Sequence, residues 1–202
     1  MKRILILSFF IALSLTSAKA QFSNELILGM NASQIWGDNL VGFHQAGLNV
    51  GVSSVFKVKD RWNGRIELTY SQKGSRRPVD PDNPSAQQRF SIRLNYFEIP
   101  LLAEYALSKN FQLVGGPSIG YLLGAKVVEG LREEEQRDAY FRYDFSFMGG
   151  FNYRVTDKLF ASLRFNDSLV NINKGSTISN RGFYNISTSF TMRFLIRGNP
   201  RG

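Results

Sequence analysis

Few side chains in this sequence of 202 residues are of kinds that do chemistry, and their spacing limits what that chemistry could be. His44 is the only histidine, so a Ser-His-acid triad could be built on it alone. The stretch "VDPDNP" (79–84) offers Asp80, Asp82 and Asn83 to a hard cation, yet Asp-Pro and Asn-Pro are also ordinary turn dipeptides. There is no cysteine, hence no thiol nucleophile, thiolate metal site or disulfide. "GGPSIG" and "GAKVVEG" lack the spacing of a phosphate-binding loop. The expectation is no catalytic residue, no metal ligand, no cofactor and no enzyme. What remains is charge set within apolar runs, as in "LNYFEIPLLAEYAL" (94–107), where Glu98 and Glu104 sit among large hydrophobic residues.

The elements that carry these charges show a period of two. In "YDFSFMGGFNY" the odd positions from Tyr143 to Tyr153 are aromatic or glycine, and the even ones are Asp144, Ser146, Met148, Gly150 and Asn152. Such alternation is a strand with one apolar face. "FYNISTSFTMRF" (183–194) and "RIELTYSQK" (65–73) divide the same way, and the parity of 94–107 puts both glutamates on the polar face. Eight strands follow, at about 24–33, 44–57, 64–73, 93–106, 110–124, 141–155, 158–169 and 183–195. Short turns at "KDRWN", "LSKN" and "TDK" alternate with longer polar segments, so one rim has turns and the other has loops. No helix pattern of any length interrupts them.

Aromatic residues bracket three strands at one spacing: Phe111 with Tyr121, Tyr143 with Tyr153, and Tyr184 with Phe194. Ten residues of tilted strand rise about 26 Å, close to the roughly 25 Å apolar band with aromatic girdles of a membrane-spanning barrel. The expected fold is therefore all-β, an eight-stranded antiparallel up-and-down transmembrane β-barrel. Parity turns Glu25, Arg65, Lys73, Asp144 and the set Glu67, Glu98, Glu104, Arg154, Arg164 and Arg193 into the lumen. Eight strands leave room only for side chains, and charges in such a space must pair. Glu67, Glu98 and Glu104 are expected to pair with arginines such as Arg164 and Arg193 and to plug the lumen. Asp167 falls on the outward parity and predicts a bulge or the rim. Pro100 lacks a ladder donor and predicts a bulge or kink.

The first 20 residues read as a signal peptide: Lys2 and Arg3, an apolar run from Ile4 to Leu15, and the small-x-small site Ala18-Lys19-Ala20. The barrel domain is then 21–202. Removing Lys2, Arg3 and Lys19 takes the 25 basic residues to 22 against 16 acidic, a balance of +6. That balance is mixed along the chain and argues against nucleic acid as a partner. Outer-membrane lipid is the expected surrounding and the cell outer membrane the expected location. Loops 74–92 and 125–140, with "KGSRRP" (73–78) and "LREEEQRD" (131–138), could meet lipopolysaccharide or a protein partner, and a monomer is expected.

The pieces "ELTYSQKG" (67–74), "LNYFEIPLLAEY" (94–105), "GGPSIGYLLGAK" (115–126), "YDFSFMGGFNYRV" (143–155) and "SLRFNDSLVNI" resemble the PorT-like outer membrane β-barrel family of Bacteroidetes, across essentially the whole mature chain. The resemblance implies an eight-stranded barrel without catalytic residues, in some members linked to type IX secretion. One departure is the tail, where eight residues follow Phe194 although many outer-membrane barrels end on the aromatic. The leading expectation is a structural or interaction protein working through extracellular loops. A narrow passive pore and an integral outer-membrane enzyme remain as alternatives.

Overall fold

The alternation builds one sheet that closes on itself. The computed structural model describes residues 22–40, 42–78, 90–175 and 182–197; the signal-peptide reading and Asp80, Asp82 and Asn83 lie outside these residues. Eight strands form the wall: β1 (Ser23–Trp36), β2 (Gln45–Lys59), β3 (Trp62–Arg76), β4 (Phe90–Ala106), β5 (Phe111–Glu129), β7 (Tyr143–Arg154), β8 (Leu159–Ser168) and β9 (Tyr184–Arg197). Each pairs antiparallel with its neighbours in the order β1-β2-β3-β4-β5-β7-β8-β9, and β9 returns to β1. Closure satisfies every edge, the condition for a sheet to sit in hydrocarbon.

Strand faces follow side-chain type. Along β7 the residues Tyr143, Phe145, Phe147, Phe151 and Tyr153 are exposed on the outside, while Asp144, Ser146, Met148, Asn152 and Arg154 are buried inside. The polarity is thus the reverse of a water-soluble barrel, with charge within and aromatic or aliphatic surface without.

Two sequence expectations are corrected. Pro100 makes no bulge: β3–β4 skips the two pairs between Ile66–Leu101 and Thr69–Glu98, and β4–β5 skips the two between Pro100–Ser118 and Ala103–Gly115, with the register unchanged. Gly116 permits the close approach there, since a Cβ on it would lie 2.1 Å from the Leu101 carbonyl oxygen. The bulge falls instead at Asn95/Tyr96, opposite Leu122 and Gly124. Residues 125–140 are also less loop-like than the sequence suggests. Val127 and Val128 carry β5 on to Glu129, and β6 (Arg132–Glu135) folds back on it. The turn between them opens on Gly130, whose φ of +61° suits the first position of a two-residue hairpin turn. A 3-10 turn (Arg137–Ala139) follows. Asp167 pairs in register with Phe147 and Ile186 one residue before the end of β8, so its outward position is a rim position without a bulge.

The face assignment makes a depth-dependent prediction. Phe147 lies outside, midway between Tyr143 and Tyr153, whereas Val155 lies beyond Tyr153. Phe147→Arg is expected to cost about 2–4 kcal/mol of folding stability in lipid vesicles and Val155→Arg about 0–1 kcal/mol. Refolding midpoints from denaturant measure both; equal penalties contradict the assignment.

Candidate functional site: the charged lumen

Alternation brings polar side chains from all eight wall strands to one axis. Arg65 on β3 is the hub. Its Nη1 donates to Glu25 Oε2 at 2.8 Å and to Ser53 Oγ at 2.7 Å, and its Nε donates to Glu104 Oε1 at 2.7 Å. Glu67 Oε1 lies 3.5 Å from the same guanidinium. Arg164 on β8 meets Glu67 with two parallel hydrogen bonds of 2.6 and 2.9 Å, the fork geometry that makes such pairs strong. Arg193 on β9, 0% exposed, stands 3.3 Å from Glu25 and 3.5 Å from Glu104. In the ring of strands β3 is opposite β8 and β4 is opposite β9, so Glu67–Arg164 and Glu104–Arg193 cross the lumen. Asn152 Nδ2 donates to Glu104 at 2.7 Å while its own oxygen accepts from Ser162 Oγ at 2.7 Å.

Nearer the loop end, Glu98 meets Lys73 at 2.5 Å rather than an arginine, which corrects the pairing expected for it. The two are on adjacent strands β3 and β4, where the short reach suits an ammonium. Lys73 Nζ is also 5.7 Å from the Tyr96 ring centre. Asp144 is buried and is held by Ser168 Oγ at 2.7 and 2.9 Å and by Asn185 Nδ2 at 3.0 Å; the same amide reaches the Tyr96 hydroxyl, across the lumen, at 3.2 Å. Beyond this layer the axis turns apolar. Ile35, Ile92, Leu94, Leu122, Tyr140 and Ile172 pack together, flanked by Phe90, Val127 and Phe183. Burial, with the Asp38 carboxylate adding to it, pushes the Tyr140 hydroxyl up to about 12, so it stays protonated in this cap.

The two ends differ. The mid-lumen holds a cavity of only about 20 Å³, between Glu67, Glu98, Met148 and Arg164. At the short-turn end a cavity of about 490 Å³ opens outward, floored by Arg65, Glu25 and Glu104. Arg154 lines it, its guanidinium 5.4 Å from the Phe160 ring centre and 3.7 Å from the exposed Asp157 carboxylate.

The aromatic pairs read from the sequence lie on the outside. Phe111 pairs with Tyr153, and Tyr121 stacks edge-on against Tyr143 at 5.5 Å. Phe194 pairs with Leu159, while Tyr184 lies 5.7 Å from Trp36. Trp36, Trp62 and Tyr105, which the ten-residue spacing missed, extend the same rows, Trp62 and Tyr105 being 4.9 Å apart. Within "KGSRRP", Lys73 is turned inward, leaving Arg76 and Arg77 exposed. In "LREEEQRD", Glu133 pairs with Lys126 at 2.8 Å and Arg132 with Glu134 at 2.7 Å, on the exposed β5–β6 hairpin. His44 is exposed at the start of β2, away from the lumen charges. Ser53, Asn152, Ser162, Ser168 and Asn185 are among the lumen residues that charge alone overlooks; their inward parity was the available signal.

Removing Glu98 leaves Lys73 buried without its counter-charge. Glu98→Ala is expected to cost about 3–5 kcal/mol, and the double variant Glu98→Ala/Lys73→Met much less than the two single costs summed. Denaturant titration of the folded barrel measures the cycle; strict additivity contradicts the pairing.

Comparison with known proteins agrees with this geometry. Neisserial surface protein A is similar in fold, at 10% identity over 87% of this chain and 97% of its own, with a TM-score of 0.55. Ail, the attachment invasion locus protein of Yersinia pestis, is similar at 11% identity over 87% of this chain and 98% of its own, with a TM-score of 0.52. No curated protein matches the chain. A family model, described as an outer membrane protein β-barrel domain, matches residues 11–174. With a closed eight-stranded barrel, a charged interior and an apolar exterior, the chain belongs to the outer membrane β-barrel domain family.

Proposed function

We propose that this protein is a closed outer-membrane scaffold, exported by a signal peptide over residues 1–20, whose work is done by the segments 74–92 and 125–140 that it holds outside the cell. The observation that carries this reading is the lumen itself. Glu67–Arg164 and Glu104–Arg193 tie opposite walls, and the apolar cap around Leu94 and Leu122 fills the loop end. A barrel of eight strands is wide enough for such side chains and no wider. The aromatic rows then mark the two membrane boundaries, with the short turns at the periplasmic side and the long connections outside.

The β5–β6 hairpin supports an interaction role, because its β5 arm extends the wall beside β4 while β6 pairs with β5 alone and presents Leu131 and Glu133–Glu135 to solvent. Lipopolysaccharide phosphates at Arg76 and Arg77, or a protein at the hairpin, are the partners this surface suits. The accessory secretion role follows from the PorT-like motifs alone. The narrow pore is the second reading, favoured by the open cavity at the turn end, which reaches as far as Arg65.

The purified barrel in a planar bilayer is expected to give no sustained conductance, and loss of residues 125–140 is expected to abolish capture of membrane partners. A steady wild-type current would instead put the pore reading first.

A further inference from the structure

We infer that the open vestibule at the short-turn end is a binding site for a phosphate-bearing anion presented from the periplasmic side. The first observation is its size and form. A mouth of about 490 Å³ lies within the roughly 300–1,000 Å³ of ligand sites, whereas the mid-lumen beyond it narrows to about 20 Å³. Among the described residues the pocket narrows inward to that small void, and it has room for a small molecule.

The second observation is charge. Lys57, Arg61, Lys109 and Arg154 line the walls, and Asp60 is the carboxylate among the lining residues outside the floor. The floor carboxylates Glu25 and Glu104 already hold Arg65 and Arg193. In the turn-side half of the lumen the buried guanidiniums Arg65, Arg154, Arg164 and Arg193 stand against Glu25, Glu67, Glu104 and the exposed Asp157, so the excess at the mouth comes from Lys57, Arg61 and Lys109 against Asp60. The field at the mouth is therefore positive. Low-dielectric walls strengthen that field toward an entering anion.

The third observation is how the cations are presented. The Phe160 ring is packed between Arg154 and Arg193, each guanidinium 5.4 Å from its centre. The ring orients the Arg154 fork, and its side chain is only 7% exposed, so little entropy is lost when it grips a ligand. Arg193 is 0% exposed and does not line the pocket, so Arg154 is the fork that reaches the vestibule. A planar fork with lysines around it matches the several oxygens of a phosphate group. Val55, Ala106 and Leu107 add an apolar wall for the body of the ligand.

The shared chemistry can come from a soluble phosphorylated solute or from the headgroup of an inner-leaflet lipid. The test uses the folded barrel in a non-ionic detergent, where both ends meet solvent, titrated calorimetrically with inorganic pyrophosphate at low salt. Saturable one-to-one binding is expected, weakened at least tenfold in Arg154→Gln and severalfold in Arg61→Gln, and unchanged in Arg132→Gln on the distant β5–β6 hairpin. Heat-modified gel mobility checks that each variant is folded. Should Arg154→Gln not fold, the exposed Arg61 decides the matter alone. Displacement of pyrophosphate in vesicles of phosphatidylglycerol, but not phosphatidylcholine, assigns the site to a lipid headgroup; retention in both assigns it to a soluble solute. No saturable binding, or binding that falls as much in Arg132→Gln as in Arg61→Gln, overturns the proposal.

Discussion

A lumen that only side chains can fill is the constraint on which the rest of this structure depends. Charges placed there lose their water, and each must regain it from another side chain at a cost of several kcal/mol if it does not. The barrel answers with a connected network rather than separate pairs. Arg65 serves Glu25, Glu67 and Glu104 at once, and Asn152 and Ser53 take up donor and acceptor positions that the ions leave open. Two further contacts, Glu67–Arg164 and Glu104–Arg193, join opposite walls, so the network acts as cross-bracing for a sheet whose exterior rests on fluid lipid.

The same constraint explains why the ends differ. At the loop end the lumen exchanges charge for apolar packing, with Tyr96 and Asn185 as the transition: one ring buried against Leu94 and Leu122, one amide bonded both to its hydroxyl and to Asp144. At the turn end the floor of the network is open to solvent, and exposed cations gather around it. An apolar seal at the loop end and an open, cation-lined pocket at the turn end make the two ends of the lumen unlike, which is the asymmetry the proposed scaffold reading rests on.

Much of this was legible in the residue order because a strand has a period of two. One parity choice per strand sorted Glu67, Glu104, Arg164 and Arg193 inward and Phe147, Tyr153 and Phe194 outward. Parity gives a face but no height, however, and partners across a lumen are chosen by height. Lys73 stands against Glu98 because the β3–β4 register puts Lys73 opposite Leu94 and Thr69 opposite Glu98, within reach of a long ammonium side chain. The bulge at Asn95/Tyr96 was hidden for a related reason: it is set by how β4 meets β5, while the proline that drew attention disturbs hydrogen bonds without shifting register. The β5–β6 hairpin escaped notice because β6 is four charged residues long, too short to show alternation. The missed tryptophans sit at the same level as the aromatic pairs but on strands where the ten-residue spacing is absent.

The central claim is that ion pairs brace opposite walls of a filled lumen, and the two-point contact between Glu67 and Arg164 tests it most directly. The measurement is a double-mutant cycle with Glu67→Gln and Arg164→Met, read as unfolding free energy in lipid vesicles at low and high salt. Bracing predicts a coupling energy of about 1–3 kcal/mol that salt barely changes, because the pair is out of reach of screening ions. A coupling near zero, or one that disappears in salt, would mean that the charges are solvated and that the lumen is not closed by them.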